Sequence, residues 1–374
     1  MSTARLIIAD SEKNADLYYA TRFLAPDPFI FAQVNGRRIM VMSDLEVDRA
    51  RAQAKGPEVL SLTKLSQQVK RAGKADPTML DVVDALLREH GATDIEVPAG
   101  FGVAQADALR QRGYEIHPTP DPFFPERLVK SGEEIALLTE SLRVTEAGLA
   151  CAVDLISNSE IRPDTTLWIG GKPLTVELVR KAMHLTMLER DCLGQHTIVA
   201  PGVQAVNPHN EGSGPLRAHE PIVIDVFPQH VRHRYFADLT RTVVKGRAPD
   251  KARRMFEAVR AGQEIAFGMI RDGVDGARVH EAILAAFERE GFATGEQDGR
   301  MQGFFHGTGH GVGLEIHEPP RISAKADILK AGMVVTVEPG LYYLDAGGMR
   351  IEDMVVVTRD GCRVLTEAPK ILEV

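Results

Sequence analysis

The stretch HGTGHGVGLEIHEPPRIS, His306 to Ser323, puts three histidines and four glycines into twelve residues and stops at paired prolines. Imidazole binds metals and exchanges protons near neutral pH, so such a run calls for acidic partners elsewhere in the chain. Residues 221–244, PIVIDVFPQHVRHRYFADLTRTVV, supply two. Strand residues alternate faces, so Val223, Asp225 and Phe227 share one face and Asp238, Thr240 and Thr242 share one on the return strand. A turn at Val231-Arg232 sets Asp225 directly opposite Asp238, where Cβ atoms stand about 5 Å apart and like charges repel. A positive group is expected between them.

Residues 332–358, GMVVTVEPGLYYLDAGGMRIEDMVVVT, repeat the pattern. Thr336 and Glu338 share one face, as do Arg350, Glu352 and Met354, with a turn over 345–348. An ionised carboxylate in so apolar a strand is costly unless it is paired or metal-bound. Local ion pairs, Asp238 with Arg241 and Glu352 with Arg350, are the plainer alternative. Four such acids in two hairpins, with His310 between them, favour metal. The set is hard and oxygen-rich, which suits two divalent ions of the manganese, cobalt, iron or zinc type. Paired ions about 3.5 to 4 Å apart hold a hydroxide between them and polarise a carbonyl, which is hydrolytic chemistry.

The order Asp225, Asp238, His310, Glu338, Glu352, flanked by ADLTRT, HGTGHGVGLEIHEPPRIS, TVEPGLYY and GGMRIEDMVVVT, closely resembles the dinuclear pita-bread metallopeptidases. Within them it is most similar to the Xaa-Pro dipeptidases, or prolidases, and the Xaa-Pro aminopeptidases. The likeness extends over essentially the whole chain, though the N-terminal half matches only in general pattern. It implies an α/β N-terminal domain followed by an α+β pita-bread (creatinase/aminopeptidase-like) catalytic domain with a curved antiparallel sheet. It also implies metal-dependent hydrolysis of the Xaa-Pro bond in dipeptides or short peptides, by two divalent ions, manganese first and cobalt, zinc or iron as alternatives. A homodimer is implied too.

Carried over by position, the resemblance makes Asp225 the chelator of one ion, Asp238 and Glu352 the bridges, and His310 and Glu338 the completion of the second ion. Glu338 would also handle the proton of the attacking water. His317 and His209 match family histidines that contact substrate or stabilise the developing oxyanion, although His209 also reads as a plain loop residue beside Pro208. Arg321 matches an arginine that grips the substrate's C-terminal carboxylate, a task suited to a planar guanidinium, against the alternative of a solvent-facing loop arginine. Arg350 would support Glu352 or the substrate. His306 remains open between supporting a neighbouring ligand and simple packing. Thr240 and Thr336 need only strand propensity, although both are placed to hold ligand carboxylates. The loop FPQHVRHRYF is a couple of residues longer than the usual family loop, and its His230 and His233 read as solvated turn residues. The same scaffold also carries metal-free amidinohydrolases, metal-dependent lyases and non-catalytic binding proteins. The full ligand set argues against the metal-free and non-catalytic alternatives, and the large front domain against a methionine aminopeptidase.

These residues need two domains to hold them, since 374 residues exceed what one core usually serves. Pro118, Pro120, Pro122 and Pro125 read as a stiff extended linker. They divide an N-terminal domain, residues 1–122, from a catalytic domain, residues 123–374. In the first, a hairpin turns at Asn35-Gly36, Asp44 caps a helix through Ala54, a helix ends at Gly91, and further strand and helix patterns follow. In the second, Ser131 and Glu134 form a capping box opening a helix to about Ser157, and Leu174 to Leu188 gives another. From Thr197 onward, short apolar runs separated by glycine and proline predict antiparallel sheet. Apolar residues make up 44% and charged residues 26%, ordinary globular material, and the net charge of -8 argues against a nucleic-acid partner. Three cysteines without a close pair, and no secretory segment at Met1, predict a reduced cytoplasmic setting. No apolar run approaches the roughly 20 residues of a membrane span.

Overall fold

In the computed structural model, which describes residues 2–374, Asn35 and Gly36 take φ of 50° and 76°. That backbone closes the tight hairpin between Phe29–Val34 and Arg37–Met42. The hairpin lies in a six-stranded mixed sheet ordered Glu58–Ser61, Arg37–Met42, Phe29–Val34, Ser2–Ala9, Ala92–Pro98, Glu115–Thr119. Alternation along Ser2–Ala9 sends Leu6 into one core with Ile30, Val83 and Leu87, and Ile7 into the opposite core with Leu17, Phe29 and Phe31. Both faces are therefore covered. Asp44 caps nothing, contrary to expectation: the helix begins at Val47 behind Glu46 without a side-chain cap, and Asp44 accepts from Ser61 Oγ at 2.9 Å.

The proline-rich stretch is not a free spacer. Phe123 and Phe124 are 0% and 2% exposed within the core that holds Phe23 and Phe31. The Asp16 carboxylate accepts from Phe123 N at 3.2 Å, Phe124 N at 3.0 Å and Arg127 Nε at 3.1 Å. Two aromatic side chains and a buried ion pair override the extended preference of the prolines. The first compact unit accordingly runs to Arg127, and the second spans Leu128–Val374.

In the second unit the helix Gly132–Ser157 starts with the predicted box: Ser131 Oγ accepts from Glu134 N at 3.2 Å, and Glu134 Oε2 accepts from Ser131 N at 2.9 Å. The other Glu134 oxygen accepts from Tyr235 OH at 2.6 Å, joining the helix start to a distant loop. Beyond Thr197 the chain is not all sheet. Helices Asp250–Met269 and Gly276–Arg289 intervene, packed together where Gly262 lets Phe287 and Ile283 approach within 3.0 and 3.1 Å of where a Cβ would stand. They back the strands that matter: a three-stranded sheet of Ile198–Pro201, Ile222–Val226 and Leu239–Val243, and a five-stranded sheet ordered Glu318–Ile322, Gly309–Gly311, Val334–Val337, Asp353–Val357, Cys362–Val364. Both are antiparallel throughout.

Replacing Asp16 leaves the buried Arg127 without this counter-charge, a loss of about 3 to 5 kcal/mol. Asp16→Ala is expected to lower the unfolding free energy of the first unit by that amount, read as a lower urea midpoint at unchanged slope, and Asp16→Asn by less. Unchanged midpoints would show that the segment is held by its aromatics alone.

Candidate metal centre

Asp225 faces Thr240 rather than Asp238 across the ladder. The bridge Gln229 to Phe236 keeps the same register, so the turn centres on Arg232-His233, one residue later than expected. Moving a turn by one residue moves the partner by two, which preserves the face. Asp225 and Asp238 therefore still project to the same side, diagonally instead of directly opposed.

The second hairpin is broken where its acids sit. Thr336 pairs with Met354, and Gly340 with Arg350, but between them the ladder opens at Glu338-Pro339 and Ile351-Glu352. Pro339 has no N–H to continue it. The amides of the two acids point outward from the hairpin: Glu338 N donates to Thr308 O at 2.7 Å and Glu352 N to Thr240 O at 3.0 Å. His310 enters on Gly309–Gly311, and its Nδ1 lies 3.1 Å from Gly311 O. Donation of the Nδ1 proton to that carbonyl leaves the Nε2 lone pair facing Asp238 Oδ2 at 3.6 Å and Glu338 Oε1 at 3.4 Å. The glycines beside His310 serve the neighbouring strands. A Cβ on Gly309 would stand 2.0 Å from Thr336 O, and one on Gly311 2.3 Å from Pro319 O.

Asp238, His310 and Glu352, all buried, offer donor atoms within 4.8 Å of one another. Burial first, and then the neighbouring carboxylates, push Asp238 and Glu352 well above the usual carboxylate range. Burial also pushes Glu338 up to about 7 and His310 down to about 3. Asp225 Oδ1 and Asp238 Oδ1 are buried without a hydrogen-bond partner. The local pairs that sequence offered as an alternative do not form: Arg241 binds Asp353 at 2.7 Å, and Arg350 binds Asp225 at 2.7 Å. Four carboxylates, a lone-pair imidazole and two orphaned oxygens fit divalent cations and little else.

All nine residues singled out for the site, Asp225, Asp238, His310, Glu338, Glu352, His209, His317, Arg321 and Arg350, line one cavity of about 940 Å³. His317 stands edge-on to His310, ring centres 4.4 Å apart. His209 and Arg321 lie exposed at the cavity, and Arg321 sits opposite His310 in the ladder. Arg350 is buried, and its link to Glu352 runs through Thr240: Arg350 Nε donates to Thr240 Oγ1 at 3.2 Å, which donates to Glu352 Oε2 at 2.7 Å. Thr336 Oγ1 is 3.4 Å from Glu338 Oε1. Tyr342 was hidden in an apolar strand pattern. Its hydroxyl accepts from Arg350 Nη1 at 2.7 Å and lies 2.9 Å from His306 Nε2, so His306 belongs to a chain of contacts reaching Asp225.

His230 and His233 are not solvated. Their side chains are 2% and 12% exposed, and the rings stack at 3.7 Å and 14° with Nε2 atoms 3.6 and 3.8 Å from Glu140. Nearly parallel rings cannot aim both in-plane lone pairs at one ion. Each Nδ1 also accepts a backbone N–H, from Arg232 at 3.2 Å and Tyr235 at 3.3 Å, so the neutral rings carry their protons on Nε2. That is the reverse of His310 and of a metal-binding histidine. The stacked pair is packed into the loop, with His233 Nε2 buried and without a hydrogen-bond partner.

The family model for metallopeptidase family M24 matches residues 136–359. The uncharacterised peptidase YqhT of Bacillus subtilis is 28% identical, over 96% of this chain and 92% of its own. An Xaa-Pro dipeptidase of Pyrococcus furiosus is 27% identical over 78% of each chain. Among solved structures, an X-Pro aminopeptidase from Thermotoga maritima superposes with a TM-score of 0.82 at 23% identity, covering 100% of this chain and 97% of that one. The prolidase of Pyrococcus horikoshii gives 0.78 at 22%, covering 99% and 95%. These superpositions show the pita-bread fold, preceded in the chain by an α/β unit.

Burial, then the charge of His230, lowers the His233 pKa from 6.5 to about 4. A depressed folded-state pKa gives stability that is present above 6.5 and is lost as pH falls through about 4. Melting temperature is expected to drop over that window, and His233→Gln to flatten the drop while lowering the plateau. Parallel curves for both proteins would refute the assignment. Glu140→Ala should leave the amount of bound metal unchanged.

Proposed function

The chain belongs to metallopeptidase family M24, and from that membership we propose that this metallopeptidase hydrolyses the bond between any residue and a following proline in dipeptides or short peptides. One observation carries the reading. Asp225, Asp238, Glu338 and Glu352 gather around His310 in a cavity where the protein's own cations leave Asp238 and Glu352 unneutralised. Asp225, Asp238, His310, Glu338 and Glu352 would hold two divalent ions, with Asp238 and Glu352 shared between them.

The ions, when bound, supply Lewis acidity and make water nucleophilic near neutral pH. The side chains do the rest. Glu338, facing His310 Nε2 at 3.4 Å in the cavity, takes the proton of the attacking water and returns it to the proline nitrogen as the bond breaks. Burial lowers the pKa of His317, keeping it neutral and able to donate to the developing oxyanion, with His209, which lines the same cavity, contacting the substrate. Arg321, exposed in the cavity, grips the C-terminal carboxylate. Arg350 supports rather than grips, since its guanidinium is occupied by Asp225, Thr240 and Tyr342. Manganese is our choice among the hard divalent ions, and a cytoplasmic homodimer our choice of state. A peptide substrate asks for neither nucleic acid nor membrane, and among the described residues no helix is long and apolar enough to cross a membrane.

Manganese-loaded protein is expected to release the first residue from Xaa-Pro dipeptides or from Xaa-Pro-Yaa peptides. Confinement to dipeptides defines a prolidase, preference for longer peptides an aminopeptidase, and silence on both with metal bound would overturn the reading. Asp238→Asn and Glu352→Gln should abolish turnover and reduce bound metal, whereas His317→Ala should spare metal and cut kcat about 100-fold or more. Arg321→Ala should raise KM for free-acid dipeptides and leave amidated ones nearly unchanged. An equal loss on both would remove the carboxylate role.

A further inference from the structure

The two sheets that carry the acids share no backbone ladder beyond a single bond, Glu352 N to Thr240 O at 3.0 Å. Threonine hydroxyls stitch the cavity side: Thr240 Oγ1 reaches Glu352, and Thr242 Oγ1 donates to Arg350 O at 2.9 Å. Behind this seam, on the face of Leu239–Val243 turned away from Asp225 and Thr240, lies Arg241, 3% exposed. Its Nη1 donates to Thr240 O at 2.9 Å, the acceptor of the crossing bond, and to Glu352 O at 2.7 Å, the carbonyl of the residue that donates it. Nη2 donates to Asp353 Oδ1 and Ala368 O, both at 2.7 Å, and Nε to Pro369 O at 3.0 Å. A guanidinium has five N–H donors in a fixed plane, and here every one is used.

We propose that Arg241 is a positioning residue for the metal centre: by clamping the Thr240 and Glu352 carbonyls it sets the spacing between the Asp238-bearing and Glu352-bearing backbones, and hence the separation of the two ions. This rests on the two-ion reading above. A rigid fork holds two carbonyls at a defined distance, whereas lysine, a point charge with three rotatable donors, matches the charge without the spacing. Arg241 touches neither substrate nor ion. Its effect passes through Glu352 and through Thr240, which carries the hydrogen bond to the Glu352 carboxylate.

The test is titration of metal-free protein with Mn²⁺, followed by calorimetry, on wild type, Arg241→Lys and Asp353→Asn, beside Ile283→Ala, a core variant at the Gly262 contact between the two helices that bonds to none of the seam residues. Arg241→Lys is expected to weaken at least one of the two binding events about 10- to 100-fold, the range for residues that orient ligands. Asp353→Asn, which keeps Arg241 in place and removes its anionic partner, should give a smaller loss in the same event. Ile283→Ala should lower the melting temperature and leave both affinities alone. Two wild-type affinities in Arg241→Lys, or an equal loss in Ile283→Ala, would overturn the proposal. If Arg241→Lys does not fold, Asp353→Asn decides: an unchanged affinity overturns the proposal, a selective loss supports it. Wild-type protein that takes up no Mn²⁺ would sink the metallopeptidase reading itself and not the role of Arg241 alone.

Discussion

Two unit charges about 4 Å apart repel by about 4 kcal/mol at the effective dielectric of a partly solvated site. Asp238 and Glu352 are buried beside each other and beside Asp225 and Glu338. Arg350 is the cation buried among them, and it is tied to Asp225. The second unit is organised around that unfavourable concentration of charge. Capped helices and packed strands hold the acids in place at a cost in stability that bound divalent ions relieve, so metal binding and folding of this unit are linked.

The broken hairpin is how the backbone meets the constraint. In a continuous ladder Glu338 and Glu352 would face each other directly as a non-hydrogen-bonded pair, the kind that brings side chains closest. Their amides point outward to separate neighbours, Thr308 and Thr240, and the arms part at Pro339, which has no N–H for the next cross-strand bond. The carboxylates are thereby distributed around His310 instead of stacked in a row. Strong apolar strands on both sides, Val334–Val337 against Asp353–Val357, keep the break local.

Much of this was legible in the residue pattern, for a physical reason. Face alternation depends on parity alone, so Asp225 and Asp238 were placed on one side correctly even though the turn lies one residue later than expected. Direct opposition depends on register, which goes with where the loop turns, and the loop's packing, His230 stacked on His233 beside Glu140, carries no local sequence signal. The same packing made two apparently solvated histidines buried. Tyr342 and Arg241 were missed because an apolar strand context hides a hydroxyl, and because a basic residue three positions from an acid looks like its partner until alternation puts the two on opposite faces. The helices Asp250–Met269 and Gly276–Arg289 went unseen because Gly262 and Gly268 mimic punctuation, when Gly262 in fact serves close helix contact. The proline stretch illustrates the limit of composition, since Phe123 and Phe124 outweigh the prolines around them.

Glu134 carries one consequence further. One of its oxygens closes the capping box at Ser131, and the other accepts from Tyr235 in the loop between Asp225 and Asp238. A single carboxylate thus belongs both to a local motif that forms within a turn of helix and to a contact spanning a hundred residues. Fraying of that helix end and loosening of the loop become one event instead of two. Disturbance at the start of the second unit would then be felt at its centre as a change in how firmly the first two acids are presented.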